Sequence, residues 1–215
     1  MADAGIKDTE SQTGSPQTTG QRILEFISAS DGSSGRWSFE FGVGIISDNK
    51  PIDYLDFNLH PLKGPGSGHT YNFTIARRIA DFDWKVGNTI HLRPQIEVPF
   101  RLIIVDQQEG GVIPDVNLGV TFRWRNWPWN RIVATTFSIG VGLSYSSPVW
   151  TADIQRHQNQ LPRSEVKFWM PLEFTFALPK YPNYQITAFG DHRSGGAIFD
   201  VGGIDAWGLG IRVVF

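Results

Sequence analysis

Three residues near the end of the 215-residue chain have the types and spacing of a hydrolytic centre: His192, Ser194 two positions on, and Asp205. A serine hydroxyl becomes a nucleophile when an imidazole takes its proton and a carboxylate holds the imidazole in the right tautomer. That chemistry requires one shared face. Residues two apart in a strand point the same way, so Ser194 would lie about 6.8 Å beyond His192 on its side of the sheet. If a hairpin sets 192 opposite 205, their Cβ atoms are about 4.5–5.5 Å apart. A strand end that is simply polar would use the same residue types, and spacing alone does not separate the two readings.

The elements that must position these residues are strands. From Arg36 onward the dominant signal is period two, clearest at 89–101, where Ile90, Leu92, Pro94, Ile96, Val98 and Phe100 alternate with polar residues, and at 115–125. Six further segments alternate: 37–46, 69–78, 132–146, 164–178, 184–194 and 204–215. Their second row is small or polar, as in Ser38, Glu40, Gly42 and Gly44. Ile52–Leu59 alternates poorly, carries Asp53 and Asp56, and reads as a loop. Strands this long exceed the usual length of about 5–6 residues and reach the roughly 9–11 needed to cross a bilayer at a tilt. The fold predicted is all-β, an eight-stranded antiparallel transmembrane β-barrel over 36–215, preceded by a flexible polar segment 1–35 of which Ile23–Ile27 could dock.

Connections at 79–88, 126–131 and 179–183 are short, and those at 47–68, 102–114, 147–163 and 195–203 are longer, the asymmetry of an outer-membrane barrel with its short turns periplasmic. Trp84, Trp124, Trp127, Trp129, Tyr181 and Tyr184 gather at the short side, as an interfacial girdle would. Prolines 94, 99 and 171 predict bulges or breaks. A soluble lipocalin-like carrier is the structural rival, because period two does not say which row faces outward. The small, polar second row suits a packed lumen better than a solvated surface.

Composition narrows the partners. With 19 basic and 21 acidic residues the net charge is -2, which excludes the electrostatic footprint of a general nucleic-acid binder. No cysteine is present, so disulfides, thiolate metal sites and cysteine nucleophiles are absent. The four other histidines, His60, His69, His91 and His157, have no metal-ligand spacing, and neither metal nor cofactor is expected. Met1–Gly5 lacks the charged and apolar regions of a signal peptide, so the expectation is either a cytoplasmic chain or a mature form. Glu40, Asp115, Arg123, Glu165, Lys167 and Glu173, of mixed sign on the polar row, read as luminal pairs, and His91 as a luminal hydrogen-bonder.

With the bulky row facing lipid, His192 and Asp205 are the ionisable residues that break it, apart from Arg77 at a strand end. His192-Arg193-Ser194, then Asp205 and a last strand closing on Phe215, resembles the C-terminal end of the PagL-like lipid A 3-O-deacylases, and Thr136–Tyr145 resembles their glycine-rich middle strand. The resemblance implies an enzyme of the bacterial outer membrane that acts on lipopolysaccharide, hydrolysing a fatty-acyl ester of lipid A without a cofactor. By it, Ser194 is the nucleophile, His192 the base and Asp205 the orienting carboxylate, at a position where the family's enzyme carries Glu. The family's Asn after the serine is replaced here by Gly195, which leaves the backbone N–H groups of Gly195 and Gly196 as oxyanion donors. A catalytically silent barrel with a structural or binding role is the alternative.

Overall fold

The computed structural model describes residues 31–49, 59–82, 84–86, 90–92, 94–157 and 162–215. The strands are β1 (Trp37–Ser47), β2 (Gly68–Asp81), β3 (Trp84–Val86), β4 (Ile90–Leu92), β5 (Gln95–Gln107), β6 (Gly111–Trp124), β7 (Ala134–Ser146), β8 (Val166–Ala177), β9 (Tyr184–Ser194) and β10 (Gly203–Val214). One short helix, α1 (Thr151–Arg156), lies between β7 and β8. Eight strands close antiparallel in the order β1-β10-β9-β8-β7-β6-β5-β2, and β3 and β4 form a separate two-stranded ribbon. Closure leaves none of the eight barrel strands with an unpaired edge, the condition for a sheet to sit in hydrocarbon.

The alternation resolves as the fold requires. Phe39, Val43, Ile75, Leu118, Val141, Ile186, Leu209 and Ile211 face outward and are exposed, while Glu40, Asn72, Arg101, Asn117, Thr136, Glu173 and Asp191 face inward and are buried. An apolar exterior around a polar interior inverts a soluble protein and is the arrangement of a membrane-spanning barrel. At the short-turn end Trp37, Trp129, Tyr181 and Tyr184 are exposed, Trp127 stacks on Trp129, and the Arg77 guanidinium lies 5.4 Å from the centre of the Trp37 ring.

The lumen is filled. Arg101 donates to both oxygens of Asp191 at 2.8 and 2.9 Å and lies 3.3 Å from Glu40 and 3.5 Å from Glu173. Arg123 joins Glu97 to Glu173, and Arg212 adds a second contact to Glu97 at 2.8 Å. The glycines of the second row make room for a ring: a Cβ at Gly42 or Gly208 would fall 2.5 or 2.6 Å from the Phe189 side chain. Space left beside Glu173 and Arg212 amounts to about 20 Å³, room for a water or two.

The expectations for β5 with the loop after it, and for Glu165, need correction. The strand expected at 89–101 is β5 at 95–107, and the loop expected at 102–114 is a tight turn after Gln107. The reason is a change of lumen: Ile103 and Val105 point inward, yet they pack with Ile46, Leu62, Ile113, Trp150, Ala152 and Ile204 in an apolar cluster beneath α1, so both rows become apolar and the period-two signal fades. Glu165 precedes β8 and takes a hydrogen bond from Ser147 in the loops rather than pairing in the lumen. Pro99 and Pro171 each interrupt one ladder without shifting its register, which makes them the local breaks expected of strand prolines rather than bulges. Asp115 and Lys167 are buried and ion-paired near the long-loop end: Asp115 meets Arg193 at 2.9 Å and accepts from Trp150 and Ser144, and Lys167 holds Asp153 and Asp200.

The side chains of Trp84 and His91, residues 52–58 and the segment 1–30 lie outside the described residues. Of the segment expected to be flexible, residues 31–35 are described: Asp31 N–H donates to the Arg125 carbonyl and Ser34 N–H to Asn183. Gly35 sits at φ 130°, and a Cβ there would fall 2.6 Å from the Phe215 backbone.

Candidate functional site

β9 and β10 pair with His192 opposite Asp205 and Ser194 opposite Gly203. Their neighbours in sequence, Asp191, Arg193 and Ala206, point into the lumen and are buried, which puts His192, Ser194 and Asp205 on the outer face. His192 Nδ1 lies 2.7 Å from Asp205 Oδ1. A carboxylate only accepts, so Nδ1 is the donor, and in the neutral ring Nε2 is the basic nitrogen. The carboxylate is out of water, at 1% side-chain exposure against 17% for the imidazole.

Ser194 lines the same cavity, about 200 Å³ in volume, bounded by His192, Asp205, Arg156, His157 and Val201. Among the described residues its hydroxyl takes a hydrogen bond from Gly196 N–H at 3.2 Å rather than bonding the imidazole. A Cβ built on Gly203 would lie 3.6 Å from both His192 Cε1 and Ser194 Cα, so the absence of a side chain there keeps the space between base and serine open. The structure thus joins His192 to Asp205 directly and brings Ser194 to their cavity. Catalytic hydrogen bonds are often made only once substrate is bound.

The two expected oxyanion donors differ. Gly195 N–H is engaged by the Gly202 carbonyl at 2.8 Å, whereas Gly196 N–H points at the serine hydroxyl. The turn between them is tight: Gly196 has φ 58°, and a Cβ there would fall 2.8 Å from the Phe168 ring. Lys167 fixes the far side of the turn, its ammonium 2.7–2.8 Å from both oxygens of Asp200. Burial alone would push the Asp200 carboxyl up, but Lys167 and the N–H groups of Ser164 and Gly202 hold it below the usual carboxylate range. Around the cavity the surface is apolar. Met170 lies opposite His192 and Phe168 opposite Ser194, Phe168 packs on Phe199 at 5.1 Å, and Ile198 and Val201 stand exposed.

Sequence reasoning missed two groups. Arg156 and His157, from the end of α1, line the cavity, and a six-residue helix has no periodic signal to announce it. Asp106 lies on the outward row of β5 opposite His69 on β2, beside a cleft of about 410 Å³ that also includes Ser67 and Leu62. Placing β5 six residues later would have revealed that pair.

No family model and no curated protein sequence matches the chain. Among solved structures it is similar to the crystal structure of the outer membrane enzyme PagL, with a TM-score of 0.54 at 13% identity over 82% of this chain and 99% of that one. It also matches the backbone structure of the Yersinia pestis outer membrane protein Ail in a phospholipid bilayer nanodisc, with a TM-score of 0.40 at 13% identity over 85% and 100% of the two chains. The outer membrane protein OprG from Pseudomonas aeruginosa follows, with 0.36 at 10% identity over 87% and 100%. The likeness to PagL is one of architecture, and together with the closed barrel, its apolar outer belt and its packed lumen it gives the chain the fold of a bacterial outer-membrane eight-stranded β-barrel.

Proposed function

We propose that this barrel hydrolyses a fatty-acyl ester of lipid A at the outer surface of the outer membrane, with Ser194 as nucleophile, His192 as base and Asp205 as its orienting carboxylate. The observation that carries the reading is the His192–Asp205 hydrogen bond on the lipid-facing side of the barrel, at the mouth of a cavity that Ser194 lines. A lipid-facing barrel wall has no packing need for a buried carboxylate bonded to an imidazole, and near the rim such groups cost less than at mid-membrane.

In the reaction His192 Nε2 takes the Ser194 proton as Oγ attacks the ester carbonyl carbon. The negative charge gathers on the carbonyl oxygen, where Gly196 N–H is the available donor, Gly195 N–H being held by Gly202. The tetrahedral intermediate collapses, the C–O bond to the sugar breaks, and the sugar oxygen leaves with the proton from His192. Water, deprotonated by the same nitrogen, then releases the fatty acid and restores the serine. Exposed Ile198, Val201 and Met170 beside the cavity suit a substrate whose chains stay in the membrane. The likeness to the outer membrane enzyme PagL agrees with this reading at the level of fold.

A catalytically silent barrel with a structural or binding role is the second reading, favoured by the serine hydroxyl bonding Gly196 instead of His192. Mass spectrometry of lipid A from cells expressing the protein separates the two. Loss of one acyl chain with the parent protein and none with Ser194→Ala supports hydrolysis. Equal loss with both, or loss with neither while both barrels reach the membrane, assigns the silent role.

A further inference from the structure

This inference rests on the hydrolase reading and adds a residue that the resemblance does not supply. We infer that Arg156 is the positioning residue of the His192–Asp205 pair: its guanidinium fixes the Asp205 carboxylate so that the imidazole keeps its proton on Nδ1 and presents Nε2 to the serine.

Asp205 is on the lipid-facing side of β10, yet its carboxylate is almost wholly withdrawn from solvent. A carboxylate taken out of water needs a counter-charge and a donor for each oxygen. His192 supplies one N–H, to Oδ1, and in the tautomer that base catalysis requires it is neutral. Arg156 supplies the rest, with Nη1 3.2 Å from Oδ2. Without that contact the carboxylate would have, among the described residues, one donor for two oxygens and no opposing charge, and its plane could turn about the Cβ–Cγ bond.

The guanidinium is itself held from three sides. Its Nε lies 3.4 Å from Asp48 Oδ1, and its Nη2 donates to the carbonyls of Asn49 at 3.0 Å and Asp48 at 3.4 Å, both just past the end of β1. The next residue, His157, places Nε2 3.1 Å from the Gly203 carbonyl and 3.2 Å from the Gly203 N–H, two residues before Asp205 on β10. The end of α1 is therefore tied to β10 at Gly203 and at Asp205, and to the chain after β1. A planar fork with five N–H groups can meet Oδ2, a second carboxylate and two carbonyls together, whereas a lysine ammonium is a point charge with three rotating donors. The Asp48 and backbone contacts would hold the loops in place by themselves. The contact to Oδ2 is the one that reaches the imidazole.

The test uses the full chain in detergent micelles with ¹⁵N-labelled histidine, the His192 signal being assigned from its loss in His192→Gln. In the parent protein His192 should show a protonated Nδ1 and a bare Nε2. In Arg156→Ala the two nitrogens should move toward the averaged shifts of a ring exchanging tautomers, and kcat on lipid A should fall about 10²-fold, the scale of a misplaced catalytic group, with KM changed less than threefold. Added guanidinium ion should restore both signals and rate, which a purely structural role would not allow. Should Arg156→Ala fail to fold, Arg156→Lys carries the comparison, with the charge kept, the fork lost, and part of the tautomer signal and rate recovered. A folded Arg156→Ala protein with an unmoved His192 spectrum and unchanged kcat overturns the inference and leaves the hydrolase reading standing. Tautomer averaging in a protein that never releases fatty acid supports the positioning role and defeats the hydrolase reading instead.

Discussion

Asp205→Asn is the sharpest perturbation of the site, because it keeps the shape of the side chain and removes one acceptor. The carboxylate uses its two oxygens on two donors, Nδ1 of His192 at 2.7 Å and Nη1 of Arg156 at 3.2 Å. An amide has one oxygen. If that oxygen stays with His192, the NH₂ group faces the guanidinium donor to donor. If it turns to Arg156, the NH₂ donates to Nδ1, the imidazole proton moves to Nε2, and the atom that should take the serine proton already carries one. The second arrangement avoids the clash of like donors and should dominate. Holding the imidazole in the wrong tautomer costs a Ser-His-Asp hydrolase about 10⁴-fold in kcat, or about 5 kcal/mol of transition-state stabilisation at 1.36 kcal/mol per tenfold. The assay is release of free fatty acid from lipid A in mixed micelles, followed by mass spectrometry, with heat-modifiable gel mobility to confirm a folded barrel. A folded Asp205→Asn protein that keeps more than a tenth of the parent rate would refute the assigned role of the carboxylate.

Two further outcomes test the scaffold. Arg101→Met leaves Asp191, Glu40 and Glu173 facing one another in the lumen without their shared cation; removing one partner of a buried ion pair costs about 3–5 kcal/mol, which should appear as a lower urea midpoint for unfolding in micelles. Because the Asp200 carboxyl is held below its unfolded value of about 3.9, the clamp it makes with Lys167 contributes fully above that pH and is lost as pH falls through the lower folded value. Amide protection of residues 195–202, corrected for intrinsic exchange, should therefore hold from neutral pH to about pH 4 and drop below it, while Asp200→Asn lowers it at every pH.

Much of the barrel is legible in the sequence because one face meets lipid and the other a packed polar lumen, so each strand alternates over its length. Legibility ends where that contrast ends. Under α1 the inward positions Ile103 and Val105 join an apolar cluster, both faces become apolar, and the strand boundaries of β5 are lost. Of the site, the His192–Asp205 pairing can be read because two consecutive alternating rows pair across a single loop. Which amide of Gly195 and Gly196 faces the serine depends on how the turn folds back onto Gly202 and Asp200, a matter of tertiary contact. Arg156 was invisible for the same reason: it reaches Asp205 from 49 residues away in the chain.

The ion-paired interior has a consequence for the cell that carries the protein. With Arg101, Arg123 and Arg212 locked to carboxylates across the bore and Phe189 seated over the glycines, hydrated ions and nutrients find no path through. Many copies can therefore sit in the membrane without making it leaky, and the same barrel in a planar bilayer should be electrically silent.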